Sequence, residues 1–429
     1  MRILQIAAGD FFSTYGGGQV YVKNIVDEMI QMGLDIVVIS LIGKDIGIRQ
    51  RDYNGIQLIE IGSVKNLEEA VKLAKVSVIH AHSTEDAVCM IGHQLGIPIV
   101  ITAHHGGLFC PAGSYMNYKD QICDVKVNHM NCLPCVLRNT RTGLKLWYPL
   151  VRHLKQSTYL KIGNFLQNKP FIPFISPIGG SANCILAKQH QFSDIAKYCN
   201  FMIAPSYRIA EAMLTNGLDR SKLRIVPHGI PLPKIQSTYP DINQGKLKLC
   251  YVGRICYIKG IHIFLKALSM INNPNIELHL IGTSGNKSEH RYLLSLQKKY
   301  RHDRRIIWHG KVPPDQVYEI LAQMHVSCAP SIYLETYGLS IAESLAMGVP
   351  VIASRCGGAE MQIQDGVNGC LIPQNDAVAL AEAIRHYAEH PEELKQMSSN
   401  CKTISIGEHV SELLKVYQEA IETYGKSRN

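Results

Sequence analysis

The amino-acid sequence predicts an α/β protein that contains two doubly wound parallel-sheet domains in tandem. Its 429 residues are too many for one ordinary core. Short apolar segments alternate with helical patterns, and this alternation stops at a polar, proline-containing stretch before it starts again. Because ligands of such sheets bind at the carboxyl ends of the strands, we expect a site in a cleft between the two domains.

The first domain is predicted to cover residues 1–230. It opens with an apolar strand from Ile3 to Ala8, a loop with glycines at 16–18, and a helix whose apolar positions run from Val22 to Ile30. Further buried strands are predicted in the segments DIVVISLI, IQLIEIG, VSVIHAH, PIVITAHH, FMIAPS and LRIVPHGI.

An irregular insert is predicted over about 106–178, where the alternation of strands and helices breaks. The segment PFIPFISPIGG carries too many prolines to favour a helix. Between Asp124 and Asp194 there is no acidic residue, whereas the interval holds nine cations, a number equal to the net charge of +9. This basic stretch is either the solvated face of the insert or a surface that meets an anionic partner.

The second domain is predicted over 246–406, after a linker at 231–245. Its strands are predicted in the segments LKLCYVG, IELHLIG, RIIWHG, VSCAP and PVIAS. In the final segment, 407–429, apolar side chains repeat at helical spacing. This pattern predicts an amphipathic helix.

The N-terminal segment is interpreted as the first core strand, because Asp10 ends its apolar stretch too early for a signal peptide. No apolar run reaches membrane-spanning length. We therefore expect a cytoplasmic chain with reduced thiols, in which disulfides do not explain the 13 cysteines.

The stretch ETYGLSIAE, from Glu335 to Glu343, allows two compatible interpretations. Ser340 and Glu343 have the spacing of a capping box, which would account for Glu343 without a ligand. Alternatively, Gly338 lets backbone amides at a helix N-terminus approach a phosphate, while the carboxylates accept hydrogen bonds from sugar hydroxyls. The second interpretation predicts a site for a nucleotide sugar.

Cations for the same diphosphate are present in GRICYIKG, which supplies Arg254 and Lys259 directly after a predicted strand. The alternative is that both are solvated loop cations. The sequence lacks G-x-x-x-x-G-K-[ST], and GGGQVY only partly imitates G-x-G-x-x-G, so a P-loop ATPase and a dehydrogenase are disfavoured. No Asp-x-Asp occurs, so no divalent metal is expected at the donor diphosphate.

Four motifs, taken in order, resemble the donor half of glycosyltransferase family 4: VGRICYIKG, HGKVP, APSIYLETYGLSIAESLAMGVPVIAS and GGAEMQIQDGVNGCLIP. That family has the GT-B fold, in which two Rossmann-like domains face a cleft, and its members are retaining glycosyltransferases. The N-terminal half is similar more sparsely, at Gly16-Gly17, HAH at 80–82, TAH ending in His104, and VPHG at 226–229.

The resemblance implies a nucleotide-diphosphate sugar as donor. Arg254 and Lys259 would then neutralise its diphosphate, which becomes the leaving group. Glu335 would contact the transferred sugar, and Glu343 would hold the ribose. His104 would lie near the reacting sugar from the opposite domain. Glu335 and His104 are therefore the two predicted catalytic residues.

Backbone contacts to the donor are implied at the glycine loops. Amides around Gly338, Leu339 and Ser340 would reach phosphate. The pair Gly16-Gly17 would admit the donor or the acceptor closely.

Two positions depart from the family's pattern. Tyr337 stands where a Phe is usual, and His105 stands where an Asp is frequent, so His105 is given no role. His80 and His82 could face the cleft, but we interpret them as core or loop histidines.

Four cysteines lie close together in the predicted insert, at Cys110, Cys123, Cys132 and Cys135. Their spacing, C-x12-C-x8-C-x2-C, fits a tetrahedral thiolate site for structural zinc, and an iron–sulfur cluster fits the same ligands. Ordinary loop thiols are the alternative. A subset of family 4 chains is similar in carrying a cysteine set after T-x-H. We expect a metal to hold an insert that has little core of its own.

The predicted function is that of a retaining glycosyltransferase (a hexosyltransferase-like enzyme) in cell-surface polysaccharide or glycolipid biosynthesis. Its acceptor is predicted to be a glycan or a lipid-linked molecule. The basic stretch, together with Trp147 and Tyr148, would then support peripheral contact with an anionic membrane at the cytoplasmic face. No nucleic-acid partner is expected. A nucleotide-sugar epimerase and a catalytically inactive GT-B scaffold are the alternatives.

Overall fold

The computed structural model describes most of the chain, namely residues 1–7, 9–12, 16–43, 46–138, 148–167, 176–235, 239–241 and 245–426. The chain divides into two compact units. The first unit consists of Met1–Val226 and Val410–Asn429, and the second unit consists of Pro227–His409. Parts of the predicted linker and of the basic stretch lie outside the described residues, among them Arg141, Lys145, Trp147 and Lys169.

The first unit contains an eight-stranded sheet with the order β3-β4-β2-β1-β5-β6-β7-β8. Its strands are β1 (Ile3–Ile6), β2 (Ile36–Leu41), β3 (Ile48–Tyr53), β4 (Ile56–Ile61), β5 (Val78–Ala81), β6 (Ile99–Thr102), β7 (Phe201–Ala204) and β8 (Leu223–Ile225). Every neighbouring pair is parallel except β3 and β4. The inner strands are fully buried, which explains why they were predictable as continuous apolar segments.

Nine helices of the described residues accompany this sheet. They are α1 (Gly17–Gln31), α2 (Leu67–Ala74), α3 (Glu85–Leu95), α4 (His129–Arg138), α5 (Tyr148–Val151), α6 (Gln156–Gln167), α7 (Ser176–Tyr198), α8 (Tyr207–Thr215) and α16 (Ile406–Lys426). The chain passes from the second unit into the first within α16.

The edge strand β3 was not predicted, because its sequence IRQRDY is polar. Its Arg49 and Arg51 lie 2.6 Å and 2.9 Å from the buried carboxylate of Glu60 on β4. Charged side chains on an outer strand also discourage pairing with another chain. The apolar alternation that identifies an ordinary strand is therefore absent here.

The prediction of an irregular insert was wrong for much of its length, because the described part contains α4, α6 and the start of α7. Pro177 lies in the first turn of α7, where a proline without an N–H group is tolerated. The expectation that the insert has little core of its own was also wrong. Buried residues form one apolar cluster there: Val127, Cys132, Leu133, Leu137, Val151, Tyr159, Ala182 and Ile185.

The second unit contains a six-stranded, all-parallel sheet with the order β11-β10-β9-β12-β13-β14. Its strands are β9 (Leu247–Val252), β10 (Ile276–Ile281), β11 (Ile306–Gly310), β12 (Val326–Ala329), β13 (Val351–Ser354) and β14 (Gly369–Ile372). Its helices are α9 (Ile261–Ser269), α10 (Lys287–Lys299), α11 (Pro314–Leu321), α12 (Leu339–Ala346), α13 (Gly358–Gln362), α14 (Ala377–Glu389) and α15 (Pro391–Ser399). Two parallel-sheet α/β domains were predicted, and this fold class is confirmed.

The sheet order decides which loops can meet. In the second unit, β9 and β12 are neighbours, so the loops that leave their carboxyl ends lie side by side. In the first unit, β1, β5 and β6 are neighbours, and their carboxyl ends lead to Gly16, His82 and His104. The predicted site residues of each unit therefore gather at the end of its sheet where the carboxyl ends of the strands lie.

Candidate functional site

Two loops are joined in the second unit, one after β9 and one after β12. The backbone amide of Ile332 donates to the carbonyl of Ile258 at 2.9 Å. Gly260 adopts φ +73°, and a Cβ at this position would lie 1.8 Å from the carbonyl oxygen of Pro330. Only glycine combines this backbone conformation with so close an approach. The loops therefore hold Lys259 and Glu335 in fixed positions.

Lys259 and Glu335 form a buried ion pair between the Lys259 Nζ and the Glu335 Oε1. The Lys259 side chain is 21% exposed and the Glu335 side chain is 10% exposed. The same carboxylate accepts hydrogen bonds from the hydroxyl of Ser331 at 2.7 Å and from that of Tyr333 at 2.8 Å. Glu335 is thereby held in one orientation, and its Oε2 retains capacity to accept a further donor.

The pair keeps both side chains charged. Burial alone would raise the pKa of Glu335, but the Lys259 ammonium and the hydrogen bonds from Ser331 and Tyr333 hold it below its ordinary value. Burial likewise opposes the charge on Lys259, yet the Glu335 carboxylate keeps the pKa of Lys259 well above its ordinary range. A fixed cation and a fixed carboxylate thus lie together at the carboxyl ends of β9 and β12.

The N-terminus of α12 lies directly after this carboxylate. Gly338 is its N-cap residue and has φ +90°, without a side-chain cap. The amides of Ile341 and Ala342 already bond to the carbonyl of Gly338. Within the described residues, the amides of Leu339 and Ser340 have no acceptor. They are available donors at the positive end of a helix dipole.

The capping-box interpretation of Ser340 and Glu343 was wrong. Because the helix begins at Leu339, Ser340 lies inside the first turn, and its carbonyl accepts a hydrogen bond from the Ser344 hydroxyl at 2.8 Å. Glu343 is therefore not needed to cap the helix. Burial raises the pKa of Glu343 to about 7. This carboxylate has no hydrogen-bond or ionic partner among the residues that the structure describes.

Arg254 follows β9 at the same end of the sheet and is more accessible than Lys259. Its side chain is 44% exposed, and its Nη1 lies 3.5 Å from Glu289. The carbonyl of Arg254 accepts a hydrogen bond from the Tyr251 hydroxyl at 2.8 Å, which anchors the backbone of the loop. An exposed ion pair of this length is weak, so the guanidinium can exchange Glu289 for another anion.

In the first unit, α1 begins at Gly17, directly after the extended Gly16. The amides of Gly17 and Gly18 have no acceptor among the described residues. A Cβ at Gly18 would lie 3.5 Å from the Cβ of His104. The glycine-rich start of α1 therefore packs on His104, which follows β6 and is half-buried.

His104 belongs to a buried chain of hydrogen bonds. Its Nε2 lies 2.8 Å from the Nδ1 of His82, and the Nε2 of His82 lies 2.8 Å from the Oε1 of Gln5. The Nε2 of Gln5 donates to the Tyr417 hydroxyl at 3.1 Å, and that hydroxyl lies 2.6 Å from the Nδ1 of His80. The chain thus runs from α16 through β1 and the end of β5 to His104.

This chain of hydrogen bonds determines which ring nitrogens of His82 and His104 carry protons. Because the Gln5 amide nitrogen donates to Tyr417, its oxygen must accept from the Nε2–H of His82. The Nδ1 of His82 is then an acceptor, and His104 donates to it from Nε2. The prediction that His82 is a core histidine holds for its burial, but the residue also orients His104.

The four cysteines of the predicted metal site lie in the first unit and line one cavity. Within the described ranges, however, no three His, Cys, Asp or Glu side chains are gathered into a group that could hold a metal ion. The thiols thus share a cavity without standing in coordination geometry. His105 is exposed and lies next to the turn that leads to Cys110.

Several residues of these clusters were not predicted. Ser331 and Tyr333 flank Glu335 in the motif APSIYLE, which could have identified them as partners. Gln5 and Tyr417, by contrast, are 412 residues apart, and no local pattern relates them.

Comparison with solved structures defines the class of fold. The sucrose-phosphate synthase of Thermosynechococcus elongatus matches 99% of this chain with a TM-score of 0.68 and 17% identity, over 100% of its own chain. The Anabaena protein HepE, solved in complex with UDP and glucose, matches 97% with a TM-score of 0.66 and 16% identity, over 99% of its own chain. The fold is that of the GT-B glycosyltransferases.

The sequence comparison is more local. Residues 236–403 match the family described as Glycosyl transferases group 1. A curated relative, the D-inositol 3-phosphate glycosyltransferase of Corynebacterium diphtheriae, is 27% identical over 154 residues, or 35% of this chain. The chain spans 36% of the length of that relative. The region matched by the family model, residues 236–403, contains Arg254, Lys259, Glu335 and Glu343.

None of the helices that the structure describes combines the length and the apolar character that crossing a membrane requires.

Proposed function

We propose that this chain is a retaining glycosyltransferase of family 4 that moves a sugar from a nucleotide-diphosphate sugar to a glycan or lipid-linked acceptor. The pathway that we propose is cell-surface polysaccharide or glycolipid assembly. The observation that carries the proposal is the buried pair of Lys259 and Glu335, held at the carboxyl ends of β9 and β12 beside a helix N-terminus. The match of residues 236–403 to a glycosyltransferase family supports it.

The leaving diphosphate needs positive partners. As the bond between the anomeric carbon and the phosphate oxygen breaks, negative charge develops on the diphosphate. Lys259 and Arg254 supply two cations, and the amides of Leu339 and Ser340 supply two further donors. Groups that are already fixed lower the barrier without reorganisation, and they act without a divalent metal at this position.

Two carboxylates are proposed to hold the sugar and the ribose. Glu335 retains acceptor capacity at Oε2, which suits a hydroxyl of the transferred sugar. Glu343 lies farther along α12 and lacks a partner among the described residues, which suits the ribose hydroxyls. Burial keeps the pKa of Glu343 at about 7, so its ability to accept two hydroxyl donors depends on pH.

We assign His104 to the reacting sugar and the glycines Gly16 and Gly17 to close approach of the donor or acceptor. Retention is proposed to follow from attack by the acceptor on the same face that the diphosphate leaves. In that step the bond from the anomeric carbon to phosphate breaks, and a bond to the acceptor oxygen forms. The proton of the acceptor hydroxyl passes to the departing diphosphate oxygen.

The acceptor is proposed to lie at an anionic membrane surface. Five cations of the basic stretch are exposed among the described residues: Lys126, Arg138, Arg152, Lys155 and Lys161. On α6, Phe165 is 60% exposed and lies four residues after Lys161. Each cation near an anionic leaflet contributes about 1 kcal/mol, so a few suffice for reversible binding.

Membrane contact is tested by sedimentation with vesicles of anionic or neutral lipids. We expect binding to the anionic vesicles only, and a loss of binding in the double variant Lys155→Glu/Lys161→Glu. The matched control is Lys298→Glu/Lys299→Glu, which changes two exposed cations at the end of α10. Equal binding of both double variants would contradict this surface.

The transferase activity is tested with a panel of UDP-, GDP- and ADP-sugars in the presence of EDTA, with release of nucleoside diphosphate as the measured product. Slow hydrolysis of one donor, lost in Lys259→Ala and kept in Lys266→Ala, is the expected result. Conversion of a donor to its epimer would instead favour the epimerase. Absence of turnover and of donor binding would favour the inactive scaffold.

A further inference from the structure

A second chemical site lies in the first unit. A cavity of about 210 Å³ is lined by the four cysteines of the insert, Cys110, Cys123, Cys132 and Cys135. None of the other nine cysteines lines this cavity, and all 13 are free thiols. The clustered spacing in the sequence therefore corresponds to a single location in space.

Three separate pieces of backbone bring these thiols together. Cys110 ends a turn in which its amide donates to the carbonyl of Gly106 at 2.8 Å. The amide of Cys123 donates to the carbonyl of Tyr115 at 2.9 Å, which closes the next loop over the cavity. Cys132 and Cys135 lie three residues apart on α4, so both project from one face of that helix.

We propose that these four cysteines bind one Zn²⁺ ion as a tetrathiolate site. Zinc bound by four cysteines is tetrahedral, with Zn–S distances of about 2.3 Å. The thiols do not yet stand in such a group. Because a cysteine side chain has a single rotatable bond with three staggered positions, rotation can bring sulfur atoms that line one cavity toward its centre.

The metal would connect two parts of the first unit. Cys132 belongs to the buried cluster of the insert, together with Leu133 and Leu137. Cys110, in contrast, lies in the segment that starts directly after His104 and His105. Zinc would therefore tie the turn next to His104 to the core around α4, which is a structural role.

Zinc is preferred to the other occupants on the chemistry of the ligands. A set of four cysteines that includes a closely spaced Cys-x-x-Cys pair is typical of structural zinc sites. An iron–sulfur cluster takes the same four ligands but brings iron and sulfide with it. Elemental analysis distinguishes zinc from an iron–sulfur cluster.

The test is the metal content of the full chain, purified under reducing conditions without added metal. We expect about one zinc per chain, in line with a site of four thiolates. Cys123→Ser and Cys135→Ser should each lower the zinc content at least tenfold. Cys135→His should retain it, because histidine is also a zinc ligand.

The matched control is Cys184→Ser. Cys184 is exposed on α7, and its sulfur lies 3.5 Å from the carbonyl oxygen of Pro111, beside the cavity. This variant should keep the full zinc content. A strong chelator should also expose four additional reactive thiols in the wild-type chain and lower its melting temperature.

Three results would overturn the proposal. The first is a wild-type chain without zinc that neither takes up added zinc nor changes its thiol reactivity on chelation. The second is zinc that persists equally in the Cys123→Ser, Cys135→Ser and Cys184→Ser variants. The third is iron with acid-labile sulfide in place of zinc. Because the first and third results come from the wild-type chain, they do not depend on the folding of any variant.

Discussion

His82 and His104 are joined by a hydrogen bond of 2.8 Å between the Nδ1 of His82 and the Nε2 of His104. His82 is buried and is held by Gln5, so its ring cannot turn without breaking the chain of hydrogen bonds. Consequently, the orientation and the protonated nitrogen of His104 are set by residues that lie farther inside the unit.

Removal of the hydrogen bond between His82 and His104 should impair turnover more than donor binding. We expect His82→Ala to lower kcat by up to about 100-fold with little change in KM, because misplacement of a reacting group by about an ångström has effects of that size. Tyr417→Phe, which removes one hydroxyl of the chain, should have a smaller effect of the same kind.

The control for this prediction is His93→Ala, which removes an exposed histidine of α3 in the same unit. Nitrogen NMR of the labelled protein adds a readout that does not require activity. It should find the proton of His104 on Nε2 in the wild type and a mixture of tautomers in His82→Ala. An unchanged His104 signal in His82→Ala would contradict the positioning role.

Lys259→Ala should weaken binding of nucleoside diphosphates by about 10–100-fold, which corresponds to one charge-assisted hydrogen bond of roughly 1.5–3 kcal/mol. Titration calorimetry in the presence of EDTA measures this affinity. Lys266→Ala, which removes one exposed cation of α9, should bind like the wild type. Equal affinity of the wild type and Lys259→Ala would exclude Lys259 from diphosphate recognition.

Donor binding should strengthen as the pH rises through the pKa of Glu343, about 7. The ionised carboxylate accepts both ribose hydroxyl donors, whereas the protonated form must donate one hydrogen itself. From pH 6 to pH 8 the ionised fraction rises by about tenfold, so the dissociation constant should fall by up to that factor. Glu343→Gln isolates this contribution from the titration of the phosphates and should remove it.

The same carboxyl affects stability in the absence of a ligand. Its pKa is higher in the folded chain than in the unfolded chain, so the folded chain binds more protons between these two values. The stability that it contributes is present at acid pH and is lost as the pH rises through about 7. The melting temperature of the wild type should therefore fall relative to Glu343→Gln between pH 5 and pH 8, and a constant difference would contradict the burial of this carboxyl.

Gly260→Ala should destabilise the second unit far more than Gly310→Ala. Both glycines have positive φ, +73° and +70°, but a Cβ at Gly310 meets nothing within 4 Å. Gly310→Ala should therefore cost only the conformational strain of about 1–2 kcal/mol. Gly260→Ala adds the clash with Pro330, and urea unfolding of both variants measures the difference. Similar losses in the two variants would mean that the loops are not held by this contact.

The sequence predicted those parts of the molecule whose signals are local. Buried strands such as β1 and β9 read as apolar segments, and the motif around Glu335 identified the start of α12 within a few residues. The strand β3 was missed because ion pairs to Glu60, rather than apolar alternation, hold it at the sheet edge. The capping box at Ser340 was predicted wrongly because the N-cap residue is Gly338, with positive φ, so the helix starts two residues earlier than that motif requires.

Contacts between distant residues were not predictable in the same way. The sequence predicted that Lys259 and Glu335 contact the same ligand, but it did not indicate that they form an ion pair with each other. Their pairing depends on the adjacency of β9 and β12. The hydrogen bond between Gln5 and Tyr417 joins the two ends of the chain. Such contacts follow from the sheet order and from the return of α16 to the first unit.

The most direct measurement of the proposed function is sugar transfer or donor hydrolysis by Glu335→Gln, measured beside the wild type. This change preserves the shape of the side chain but removes the charge that faces the sugar. We predict a loss of at least about 100-fold in turnover, with nucleoside diphosphate binding retained because Lys259 remains. Glu382→Gln, on the exposed face of α14, should behave like the wild type. Unchanged turnover in Glu335→Gln would contradict the assignment of this site as the catalytic centre.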